Sequence, residues 1–352
     1  MTDDWRRAIP PVDPAVALSA RERIDGLTKP VRSLGRIEDL AVRLCAIAGG
    51  VPAHAFEKRA ILVGAADHGV AGSGVSAYPA EVTAQMVGAF LGDFAAISAF
   101  GRAVRANVYV ADFGVLTPSP PHPRLIDVRL GAGTASLADG PAMPRASVAD
   151  AVGAGVRAFE HVRAETALDI IAIGEMGIAN TTSAAAVVAA FTGVAPGAVV
   201  GRGTGIDDQR LARKVAVVER ALSRADADDW ISVASEVGGF EIVGLAGVIL
   251  AAARARVPVV LDGYIVSAAA LIARAVAPAA VGYCIAAHAS REPGHRVALA
   301  ALGLDPLLDL DLALGEATGA ALALPLVEAA ARMVREMKTF AEAGVATKDE
   351  LA

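Results

Sequence analysis

The run LGEATGAALALPLV, Leu314 to Val327, places one carboxylate, Glu316, in a small-residue turn ahead of a helix-compatible segment. Such a turn brings backbone N–H groups and a single acid close to a ligand; the plainer alternative is a first-turn acid favoured by the helix dipole. A second acid, Glu175, lies in GEMGIANTTS directly after an apolar run. Its neighbours Gly177, Asn180, Thr181 and Thr182 could hold a phosphate or ribose where the next helix starts, or form only a strand-end acid and a cap cluster. The tight turn GRGTG, Gly201–Gly205, includes Gly203 but lacks the G-x-G-x-x-G spacing of a dinucleotide fingerprint, which argues against a nicotinamide-dinucleotide enzyme. Lys214 follows on the edge of an apolar stripe, where a lysine either reaches out to water or serves as a point cation. Asp67 and His68 have no matching ligand spacing elsewhere, so no metal is expected. His288 and His295 flank the loop SREPG, which contains Ser290.

These residues need a frame that brings them together. Six apolar runs read as buried strands: Ala60–Ala65, Asn107–Ala111, Leu168–Ile173, Ile231–Ala234, Val257–Leu261 and Val281–Ala286. Continuous rather than alternating apolar character suits a parallel sheet covered on both faces. Helical stretches alternate with them. Asp207 can cap a helix with Leu211, Val215, Val218 and Leu222 in one stripe; Glu81–Phe100, Phe240–Ala253 and Ile265–Ala275 also read as helices. The pattern predicts an α/β fold, doubly wound and Rossmann-like, on a mainly parallel six-stranded sheet. Ligands of such sheets bind beyond the C-terminal strand ends. Asp67-His68-Gly69, Glu175-Met176-Gly177, Asp262-Gly263 and His288–Ser290 each follow an expected strand. Ser33 can cap a helix carrying Ile37, Leu40, Leu44 and Ile47, and Leu326 to Phe340 keeps a three-four spacing behind Pro325, which should kink or start that helix. We expect an α/β core over 31–324 and a small helical subdomain from 1–30 and 325–352. Thr117–Arg124 (TPSPPHPR) reads as an extended surface loop.

The 352 residues are 55% hydrophobic but 4% aromatic, as suits close helix-on-sheet packing with small side chains, and the net charge of −6 argues against a nucleic-acid surface. Cys45 and Cys284 are too few and too distant for a disulfide framework or a zinc site, and suit buried thiols in a reducing compartment. The N-terminus has no apolar signal core, and no uncharged stretch reads as a membrane span. A cytoplasmic protein without membrane contact is expected.

Five segments, ADHGVAGSGVSAYPAEVTAQMV, GEMGIANTTSAAA, GRGTGIDDQRLARK, LDGYIVSAAALIA and LGEATGAALALPLV, occur in the order of one known family. Over Thr28 to Phe340 the chain resembles the nicotinate-nucleotide–dimethylbenzimidazole phosphoribosyltransferases, which build the lower ligand of cobalamin. The resemblance implies a homodimer without a cofactor, with nicotinate mononucleotide and dimethylbenzimidazole as substrates. It implies that Glu316 is the general base and that Glu175 lies near the reacting centre. It also implies that Gly177, Asn180, Thr181, Gly203, Lys214, Asp262, Gly263 and Ser290 hold the phosphoribosyl part, with Lys214 on the 5′-phosphate. Tyr78, Val82, Gln85, Met86 and Leu314 would line the base pocket.

The chain departs from the family pattern at several points. Arg32, Ala179 and Ala317 stand where the family has glycine, Asp93-Phe94 where it has a glycine pair, and Ala313 where it has arginine. A glycine replaced at positive φ carries strain. The alternative to an active transferase is a protein that binds a base or ribotide without turnover.

Overall fold

The computed structural model describes residues 2–203 and 205–346. Six strands form one all-parallel sheet: β1 Arg59–Ala66, β2 Asn107–Gly114, β3 Leu125–Asp127, β4 Ile170–Met176, β5 Val259–Leu261 and β6 Cys284–Ala286. Their order is β3-β2-β1-β4-β5-β6, the doubly wound arrangement in which the chain reverses direction across the sheet between β1 and β4. Alternate residues of β1 feed two apolar cores. Ala60, Leu62 and Ala66 enter one, with the helices Ser147–Thr166, Phe240–Arg254 and Tyr264–Val276. Ile61, Val63 and Ala65 enter the other, with the helices Arg36–Ala48, Glu81–Leu91, Ala96–Ala103 and Thr318–Glu336. The continuous apolar character of the strands follows from this two-sided burial.

Small residues set the packing distance. A Cβ on Gly155 would fall 1.8 Å from the carbonyl oxygen of Gly244, so the two long helices over the first face meet backbone to backbone. Tight packing of this kind needs few aromatics. Chain ends meet on the other face: Leu27 forms an antiparallel bridge with Thr339, and Arg36–Ala48 packs on Thr318–Glu336.

Several expected elements differ. Ile231–Ala234 is helical, inside Trp230–Val237, because Asp229 caps the segment by accepting from the Ile231 N–H at 3.0 Å. The sixth strand is instead the short edge strand β3, which follows the extended loop Thr117–Arg124. The stretch Glu81–Phe100 is two helices broken at Asp93, whose φ is +64°. Gly35, not Ser33, occupies the cap position of Arg36–Ala48. Pro325 neither starts nor ends its helix, which begins at Thr318 and stops at Glu336; Phe340 opens a separate short turn closed by a Thr339–Glu342 capping box. Asp207 caps Asp208–Leu222 as expected, accepting from the Arg210 N–H at 2.8 Å.

Candidate active site

A cavity of about 510 Å³ opens at the C-terminal edge of the sheet, at the reversal between β1 and β4. Glu175, the penultimate residue of β4, is 7% exposed and points its carboxylate at the turn before Thr318–Glu336. That turn is three successive left-handed residues, Gly315, Glu316 and Ala317, with φ of +82°, +61° and +65°. Two glycines let it dock on the strand. A Cβ on Gly174 would lie 2.0 Å from the Ala317 nitrogen, and one on Gly315 would lie 2.4 Å from Glu175 Oε1. The two acids are thereby brought to one wall of the cavity.

Asp262 lies behind this wall, just past β5. Its carboxylate accepts from the N–H groups of Ala317 at 3.1 Å and Ala320 at 2.9 Å, so it fixes the start of the helix that follows Glu316. Burial pushes Asp262 up to about 7 against those backbone donors. Glu316, 6% exposed, is raised to about 7 by burial. Glu175 is pushed up to about 8, chiefly by burial; the hydrogen bond from Asn180 opposes this, and the charges of Glu241, Asp262 and Glu316 add to it. Carboxyls tuned into the neutral range are suited to moving protons near neutral pH.

At another end of the cavity, Thr181, Gly203, Ser290 and Glu292 meet. Lys214 is buried behind them, donating to Thr181 Oγ1 at 2.8 Å and to the Gly201 carbonyl at 3.1 Å. Burial lowers its ammonium to about 8, and Glu292 opposes the shift. Ser290 is held by His295, whose Nδ1 accepts from the Ser290 N–H at 3.0 Å while Nε2 faces Ser267 Oγ at 3.1 Å. Because Nδ1 accepts, the proton sits on Nε2, and burial keeps the ring neutral by lowering it to about 3. A backbone N–H beside a buried cation suits an anion.

The remaining wall is apolar. Val82, Met86, Tyr78 and Leu314 line it, together with Val75 and Ile178. Gln85 does not: it is exposed on the outer face of Glu81–Leu91, one residue before Met86, so the helix turns it away from the cavity. Gly177, Asn180 and Gly263 also line the cavity, whereas Lys214 and Asp262 support it from behind. His288, singled out at a strand end, lines the cavity; sequence reasoning missed Glu292, which also lines it, and Glu241, whose Oε1 pairs with His68 Nε2 at 2.7 Å beneath the Gly177 turn. The SREPG context held the signal for Glu292; Glu241, one acid on an apolar helix, gave none.

Fold and site together define a doubly wound α/β protein with two buried carboxyls on one cavity and a buried lysine behind it. The Phosphoribosyltransferase family profile matches residues 9–345. Two proteins named nicotinate-nucleotide–dimethylbenzimidazole phosphoribosyltransferase are similar at full length. That of Chloroflexus aurantiacus is 52% identical over 97% of both chains, and that of Chloroflexus aggregans is 53% identical over 97% of both. The crystal structure of CobT from Thermus thermophilus superposes with a TM-score of 0.91 at 51% identity, covering 95% of this chain and 99% of that one. The chain belongs to the nicotinate-nucleotide–dimethylbenzimidazole phosphoribosyltransferase family.

Proposed function

We propose that this chain transfers the phosphoribosyl group of nicotinate mononucleotide to 5,6-dimethylbenzimidazole, giving α-ribazole 5′-phosphate and nicotinate. The observation that carries the reading is the pair of buried carboxyls, Glu175 and Glu316, on a cavity with an apolar wall at one part and a buried lysine behind another. An imidazole nitrogen of the base attacks the anomeric carbon of the ribose. The bond from that carbon to the pyridinium nitrogen breaks, and nicotinate leaves with the electron pair as a neutral ring. The incoming base becomes cationic at the moment of bonding and gives up the proton on its other nitrogen to Glu316. Ionised Glu175 stabilises the positive charge that builds on the ribose; the pyridinium of the bound substrate favours that ionised form.

The apolar wall of Val82, Met86, Tyr78 and Leu314 takes the aromatic base. Asn180, Thr181, Gly177, Gly203, Gly263 and Ser290 take the phosphoribosyl part, with Lys214 supplying a positive charge to the phosphate and Asp262 positioning the Glu316 turn. Support for this division comes from where the lining residues lie on the cavity, with Lys214 behind Thr181 and Asp262 behind the Glu316 turn. The test is nicotinate release from nicotinate mononucleotide by purified protein, with and without dimethylbenzimidazole, followed by chromatography. Base-dependent release with a new ribotide is expected; no release at any pH between 6 and 9, on the order of one unit either side of the ordinary catalytic range, would overturn the reading.

We also propose a cytoplasmic homodimer. Val31, Leu34, Phe94 and Leu310 are large apolar side chains left exposed on the single chain, which supports burial against a second copy. Sedimentation showing a monomer at working concentration would refute it.

A further inference from the structure

Glu292 has a geometry that substrate binding alone does not require. It caps the helix Pro293–Leu302, and its side chain lines the cavity. Oε1 accepts from the Gly203 N–H at 2.9 Å. Oε2 is buried and has no hydrogen-bond partner among the described residues. Oε2 lies where Gly201 leaves room: a Cβ there would come within 2.0 Å of it. Lys214 stands across the same turn; its Nζ would lie 3.4 Å from a Cβ on Gly203, and it makes no ion pair among the described residues. Two of its three N–H donors are used, by Thr181 and Gly201.

A buried ammonium without a nearby anion is costly, and so is a buried carboxylate oxygen without a donor. Each group offsets part of the other's cost through space, since Glu292 raises the affinity of Lys214 for its proton. The same N–H and the same cation are what an incoming phosphate would use. A carboxylate and a phosphate dianion cannot both take the Gly203 N–H, and their like charges repel. The Glu292 N–H donates to Ser290 Oγ at 3.3 Å, a bond that does not involve the carboxylate, so displacing the carboxylate leaves this backbone bond in place.

We propose that Glu292 is an internal stand-in for the substrate phosphate. It occupies the Gly203–Lys214 anion site in the free enzyme and is displaced when the phosphate enters. The inference rests on the phosphoribosyl reading above and adds a residue that opposes, rather than makes, the phosphate contact. The stand-in keeps the Gly203 turn and the lysine charge in place between turnovers, at the expense of substrate affinity.

The test is calorimetric binding of nicotinate mononucleotide and of nicotinate riboside, which lacks the phosphate, without the second substrate. Glu292→Gln keeps an acceptor for the Gly203 N–H but removes the charge. It should bind the mononucleotide about tenfold more tightly, the scale of one partly screened charge pair, and the riboside unchanged. Weaker or unchanged mononucleotide binding overturns the proposal; equal weakening of both ligands would make Glu292 a ribose contact instead. Lys214→Met separates this from the underlying reading. It should abolish the preference for mononucleotide over riboside, and if the preference survives, the phosphate end has been misplaced whatever Glu292 does. A crystal structure of the unmutated enzyme with mononucleotide needs no folded variant. A phosphate oxygen on the Gly203 N–H with Glu292 turned away supports the exchange, and Glu292 still on that N–H refutes it.

Discussion

The role proposed for Glu316 rests on three local facts: it is buried, its backbone is left-handed, and Asp262 caps the helix that follows it. Asp262 takes the N–H groups that a first-turn acid would otherwise claim, so the Glu316 carboxylate is free for a ligand. Burial raises Glu316 to about 7, the direction opposite to the shift a helix dipole alone would give. Glu316→Gln should retain the fold and lower kcat by about 10²–10⁴, the usual worth of a general base; turnover within threefold of the parent would remove Glu316 from the mechanism. A base acts in its deprotonated form, so kcat should climb as pH rises through about 7 and level off above it. Glu316→Gln should lose that limb. Lys214 acts in the opposite sense. As the proposed phosphate cation it must be protonated, and burial lowers it to about 8, so the KM for nicotinate mononucleotide should rise as pH passes about 8. A KM flat from pH 7 to about 9.5, well past the lowered lysine value, would mean that Lys214 is not the phosphate cation.

At the scale of the element, four of the departures from the family pattern share one property. Arg32, Asp93, Ala179 and Ala317, where the resemblance implies glycine, all have positive φ, between +63° and +72°. A non-glycine residue in this region costs about 1–2 kcal/mol, partly offset by the roughly 0.5–1 kcal/mol of extra chain entropy that glycine loses on folding. Ala179→Gly and Ala317→Gly should therefore each stabilise the protein, by about 0.5 kcal/mol net, seen as a shift in denaturant midpoint at constant slope. Destabilisation by both would show that the alanine methyls, which are buried, pack well enough to outweigh the backbone term. In the opposite direction, Gly174→Ala drives a methyl into the Ala317 backbone and should cost about 1–3 kcal/mol or more. It should also lower activity by pushing the Glu316 turn off β4. The parallel sheet and the strand-end motifs were legible because two-sided burial leaves a continuous apolar run that punctuation by Asp-His-Gly, Glu-Met-Gly and Asp-Gly brings to a stop. Four residues were too few to separate strand from helix at Ile231–Ala234, where Asp229 and the packing of a neighbouring helix decided the matter. Leu125–Asp127 is too short, and too exposed on one side, to carry a strand pattern. Gln85 falls outside the cavity lining because the phase of its helix, fixed by Val87 and Phe90 in the core, turns Val82 and Met86 to the cavity instead. Glu241, a lone acid on the apolar helix Phe240–Arg254, becomes visible only when that helix meets His68.

The whole molecule ties these sites to one cooperative frame. Cys45 belongs to the core on one face of the sheet and Cys284 to the core on the other, and the central strand β1 contributes alternate residues to both. Burial pushes the thiols up to about 11 and about 12, so neither has appreciable thiolate near neutral pH, and neither should react with a disulfide reagent while the chain is folded. Reaction then reports opening of the core that holds each cysteine. If one face could open alone, half of β1 would lose its partners while the strand stayed paired, exposing Ile61 and Val63 or Ala60 and Leu62 to water. Losing that burial is unfavourable by about 25 cal/mol per Å² of apolar surface, which couples the two faces through the sheet. Peptide-level labelling across a urea series should accordingly give both cysteines the same midpoint. A lower midpoint at Cys45 would place a separable unit in the helices of the chain ends, and the Glu316 turn, which starts the longest helix on that face, should then lose activity at that same lower urea concentration, ahead of the rest of the sheet.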